Sequence, residues 1–103
     1  MRRMLPVITT LLLMAGCGYA PPVVDAALVA RASAAFPGTN QAQLEQARAT
    51  YLTACTACHV VRDPSRYSAK ELDSYLAIMG ERAHLDAATQ ESVRRYLQAA
   101  RTK

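Results

Sequence analysis

Three observations predict an all-α fold of about three helices. Apolar residues recur with helical period in three stretches, each opens on a side chain able to cap a helix, and nothing reads convincingly as a strand. The first helix starts near Thr39 or Asn40 and carries Leu44, Ala47, Tyr51, Leu52 and Cys55 at helical spacing. The second opens on Ser68-Ala69-Lys70-Glu71, an S-x-x-E capping box. Its Leu72, Tyr75, Leu76 and Met79 share one face, and Gly80 supplies a stop. The third starts at Asp86 and presents Val93, Tyr96, Leu97 and Ala100 on one stripe. There is no internal repeat.

Ahead of these helices the chain divides in two. Arg2 and Arg3 precede an apolar run from Leu5 to Met14, which is too short to cross a bilayer, and small residues Ala15 and Gly16 follow. Residues 1–16 therefore read as a secretory signal peptide. The segment Leu13-Met14-Ala15-Gly16-Cys17 resembles a bacterial lipobox, with Met14 where Leu is usual. That resemblance implies lipidation at Cys17. A competing cut after Ala20 would place Pro21 just past the scissile bond, where ordinary signal peptidase works poorly. Residues 17–38 read as a lipid-anchored flexible linker. Pro21-Pro22 opens it, an Ala-rich piece from Asp25 to Ala35 is at most transiently helical, and Phe36-Pro37-Gly38 closes it. The folded domain is then expected over 39–103.

Removing 16 of 103 residues leaves 87, a single small domain that needs a staple for stability. The precursor's net charge of +4 falls to +2 with the loss of Arg2 and Arg3. Such a balance argues against nucleic-acid binding.

The chemistry is concentrated in Cys55-Thr56-Ala57-Cys58-His59, the C-x-x-C-H signature of c-type haem attachment. Cysteines at i and i+3 share one face of a helical turn, where they can form thioethers with two haem vinyl groups. His59 then stands ready as a neutral imidazole ligand to iron. A thioredoxin-like dithiol would need a β-α-β setting, and a zinc site would have only Cys55, Cys58, His59 and distant His84 to draw on. The chain has three cysteines; one on lipid and two on haem leaves none over.

Residues 40 to 101, about three fifths of the chain, resemble a small monohaem c-type cytochrome of the class I kind. The features that carry the resemblance are Tyr51 four residues before Cys55, the motif itself, and the aromatic-Leu pair Tyr96-Leu97 on the final helix. The chain departs from better-known members in three ways. Ala47 stands at or near a position where glycine is common, there is no Trp, and the stretch between motif and final helix is short. The resemblance implies a compact cytochrome c-like fold around one covalently bound haem c, with thioethers at Cys55 and Cys58 and His59 as proximal ligand. Covalent attachment in this class occurs outside the bacterial cytoplasm, in agreement with the leader.

Class I members generally use methionine as the second axial ligand. Met1, Met4 and Met14 leave with the leader, so Met79 is the candidate. His84, in the turn before the last helix, is the rival, and an open iron is the third option. In the loop from Val60 to Tyr67, the Pro64 carbonyl is placed to accept from His59. Arg62, Arg66 and Tyr67 can donate to haem propionates, although the same residues also read as an ordinary polar loop.

These readings describe a membrane-anchored periplasmic one-electron carrier that meets redox partner proteins, as a monomer or as a subunit of a redox complex. Nothing suggests catalytic residues of its own. The alternatives are a haem subunit of a periplasmic oxidoreductase and a haem-based sensor with an open or weakly held sixth position. Gly18 after the lipid cysteine, in place of the Asp that retains enteric lipoproteins at the inner membrane, tilts the expectation towards the outer membrane.

Overall fold

The structure, a computed structural model, describes residues 19–57 and 61–102. Cys17, Cys58, His59 and the expected signal peptide 1–16 lie outside the described residues. Among the described residues there are four α-helices, one more than expected: α1 (Ala26–Ala35), α2 (Gln41–Thr53), α3 (Ala69–Arg82) and α4 (Ala87–Ala100). Short 3₁₀ turns lie at Cys55–Ala57 and Pro64–Arg66, and there is no strand among the described residues.

Each helix begins where a side chain satisfies an N–H that the first turn leaves without a partner. Asp25 accepts from Leu28 N–H at 2.8 Å and Asp86 from Thr89 N–H at 2.7 Å. Asn40 caps α2 and completes a capping box with Gln43, the two bonds measuring 2.9 and 3.2 Å. Ser68 and Glu71 form the expected box on α3, at 3.1 and 3.3 Å.

Helix α3 does not stop at Gly80, which lies inside it and is buried. It ends two residues later in a Schellman motif. Leu85 N–H donates to the Gly80 carbonyl at 3.0 Å and His84 N–H to that of Glu81 at 3.1 Å. His84 takes the left-handed conformation this closure needs, with φ 56°. Gly80 is required for another reason: a Cβ there would stand 2.6 Å from Gln90 Cδ, so glycine permits α3 and α4 to approach.

Helix α4 supplies Val93, Tyr96, Leu97, Ala99 and Ala100 to the core. Leu44, Ala47 and Tyr51 of α2, Leu72 and Leu76 of α3, and Leu28 and Ala32 of α1 complete it. Fully burying a leucine of this kind contributes about 1.5–3 kcal/mol. The expected stripe on α4 is buried. On α2 Leu44, Ala47 and Tyr51 are buried, while Leu52 is half-buried and Cys55 falls in the 3₁₀ turn beyond the helix. On α3 Tyr75 remains 47 % exposed.

Residues 19–38 pack differently from the flexible linker expected for 17–38. Leu28 is 1 % and Ala32 0 % exposed, and Arg31 Nε donates to the Ala99 carbonyl at 3.2 Å. The Tyr96 hydroxyl donates to the Pro22 carbonyl at 2.6 Å, and Arg48 donates to the carbonyls of Pro22 and Pro21 at 3.1 and 3.3 Å. Burying two α1 side chains and meeting these carbonyls offsets the entropy of ordering the segment. Phe36 closes α1 beneath the Arg94 and Arg95 guanidiniums, 4.9 and 5.8 Å from its ring centre. No helix among the described residues is long and apolar enough to cross a membrane.

Candidate functional site

Tyr51, in the last turns of α2, carries the chain from the core to the Cys55 region. Its hydroxyl donates to the Arg62 carbonyl at 2.7 Å and accepts from the Arg62 N–H at 3.2 Å. Burial raises the Tyr51 pKa, partly offset by the bond to Arg62. Cys55 opens the 3₁₀ turn after α2 as a half-buried thiol with no disulfide partner among the described residues, and burial pushes its pKa up. A thiol held protonated in this way is a poor spontaneous nucleophile.

Beyond Arg62 the chain makes the 3₁₀ turn Pro64–Arg66, capped by Asp63, which accepts from Ser65 N–H at 2.9 Å. Arg101 ties the turn's far end to α4 by donating to the Tyr67 carbonyl at 3.1 Å. The Pro64 carbonyl accepts from Tyr67 N–H at 3.2 Å. A second lone pair remains on that oxygen, so an additional donor is compatible with the turn.

Between this turn, α3 and α4 lies a cavity of about 310 Å³. Leu72, Leu76 and Leu97 form its buried apolar side, with Tyr51 and Pro64. Tyr67 and Tyr75 line it together, their rings edge-to-face with centroids 5.1 Å apart. Met79 also lines it, and Arg62 and Arg82, both exposed, bring two guanidiniums to its border. Leu76 and Met79 in addition border a much smaller hollow whose other lining residues include Cys55, Leu85 and Val93. Cys55 and Met79, 24 positions apart in sequence, thus meet at one place.

His84 is exposed and lines neither space; its backbone closes α3. Arg66 is exposed and does not border the cavity, whereas Arg62 and Tyr67 do. The sequence reading passed over Arg82. Its signal was the spacing from Met79 and Tyr75, at i+3 and i+7 on the same helix.

Cys58 and His59 lie outside the described residues, and the lining around Met79 carries groups of the kind a haem site uses. Aromatic and aliphatic walls suit a flat macrocycle, Met79 offers a thioether, and guanidiniums suit carboxylate groups. No protein-family model, no curated protein and no solved structure matches this chain.

Proposed function

We propose that this chain is a monohaem c-type electron carrier, anchored by lipid on the periplasmic side of a bacterial membrane. The observation that carries the reading is the C-x-x-C-H motif, 55–59, supported by an apolar cavity lined by Met79, which also borders a small hollow with Cys55. Cys55 and Cys58 would hold the haem covalently, with His59 and Met79 as axial ligands. When bound, haem supplies a one-electron couple between ferric and ferrous iron, and a thioether ligand raises its potential.

The surrounding side chains have supporting tasks. Leu72, Leu76 and Leu97 exclude water from the cavity's buried side, which favours the less charged state of a redox centre. Arg62 and Arg82 can bind carboxylates at the border, and the Tyr51–Arg62 bonds hold the loop beside them. Tyr75 and Ile78 are 47 % and 51 % exposed on the helix bearing Met79. An apolar surface there favours docking to a redox partner protein, and so keeps open the reading as a subunit of an oxidoreductase.

The test is the protein made with haem-attachment machinery. Mass spectrometry should find one added haem, and the ferric spectrum a methionine–iron charge-transfer band that disappears in Met79→Ala. A colourless product would overturn the reading. A high-spin ferrous protein that binds small ligands would replace the carrier with a sensor.

A further inference from the structure

The first described residues do not behave as a tether. Pro21 is buried, the carbonyls of Pro21 and Pro22 are gripped by Arg48, and that of Pro22 also by the Tyr96 hydroxyl. These partners lie on α2 and α4, the two helices that pack most extensively against each other. Tyr19 is half-buried ahead of this grip, close enough to Asp63 and Tyr51 for their charges to act on it. The held segment therefore starts two residues after Cys17. Two residues of chain span at most about 7 Å.

From this we infer that the face around residues 19–23 rests directly on a lipid bilayer. The inference depends on the anchored reading of Cys17. With acyl chains on Cys17 buried in the membrane, and the chain packed from Tyr19 and gripped from Pro21, at most about 14 Å of chain is left to lift the domain away. Val23, 66 % exposed although large and apolar, lies beside the grip and meets the headgroup boundary. The exposed Ala20 adds a small, uncharged contact. The occupant of this face is thus the lipid surface rather than a second protein. Redox partners must accordingly come to the membrane surface, since the domain does not reach outward to them.

Neutron reflectometry on the full lipidated protein, reconstituted in supported bilayers of phosphatidylethanolamine and phosphatidylglycerol, measures the water layer beneath the domain. The expected layer is no thicker than about 14 Å. A flexible Gly/Ser insertion of about 16 residues between Gly18 and Tyr19 leaves the grip untouched and should add roughly 20 Å. A wild-type layer as thick as that of the insertion variant, with lipid present on Cys17 by mass spectrometry, would overturn the inference alone. A Cys17 without lipid would overturn the anchored reading and the inference together.

Discussion

The Tyr51 hydroxyl holds the Arg62 peptide from both sides, donating to its carbonyl and accepting from its N–H. The two residues are 11 apart, and the motif 55–59 lies wholly between them. Tyr51→Phe keeps the ring and deletes both bonds, leaving a part-buried peptide without this partner. The expected loss is about 1–3 kcal/mol, read as a lower urea midpoint with an unchanged slope. An unchanged midpoint would show that the clasp contributes nothing to holding the loop.

His84 occupies the left-handed position that closes α3, where glycine is the least strained residue. His84→Gly should raise stability by about 1 kcal/mol. In protein carrying the proposed haem, it should also leave the absorption bands where they were. A changed spectrum would instead make His84 the axial ligand in place of Met79.

Gly80 faces the Gln90 side chain, which itself donates to the Leu85 carbonyl at 2.7 Å. A methyl group at 80 pushes that side chain away and breaks its bond. Gly80→Ala should therefore cost about 1–3 kcal/mol despite alanine's better helix propensity. Adding Gln90→Ala should recover part of the loss by making room. Strict additivity of the two substitutions in thermal melts would refute the contact.

Burial raises the pKa of three phenols, Tyr51, Tyr96 and Tyr19, the last from 10.0 to about 12, with Tyr96, Asp63 and Tyr51 adding to its rise. Groups whose folded pKa is raised contribute stability fully below their unfolded value, and lose it as pH climbs through the folded value. Stability should therefore decline between pH 10 and about 12. Tyr19→Phe should shift that decline upward. Its hydroxyl is buried without a hydrogen-bond partner among the described residues, so the substitution should not lower stability at neutral pH. Ultraviolet titration of the phenols alongside thermal melts checks both outcomes.

Helices α2, α3 and α4 were legible because their information is local: Asn40, Ser68 and Asp86 cap within three residues, and the apolar stripes repeat within two turns. The sequence of α1 reads as a flexible linker because Ala26–Ala35 offers little contrast between faces. What orders it is distant, through Ala99 and Tyr96, and no local pattern reports such partners. The end of α3 was misjudged for a related reason. Gly80 carries the usual stop signal, yet its missing side chain answers to Gln90, and a histidine performs the closure. At the site, Met79 and Tyr67 were singled out in advance, whereas Arg82 joined them only through the geometry of one helix face.

The bonds from Arg31 to Ala99 and from Tyr96 to Pro22 bridge 68 and 74 residues. A chain synthesised from its N-terminus cannot make them until its final helix has emerged. Until then α1 lacks its main packing partner, and the stretch around Cys55 lacks the Val93 side of its surroundings. Such long-range closure makes folding slow relative to local helix formation. The order of emergence thus leaves the surroundings of Cys55 incomplete until the last helix shuts the core.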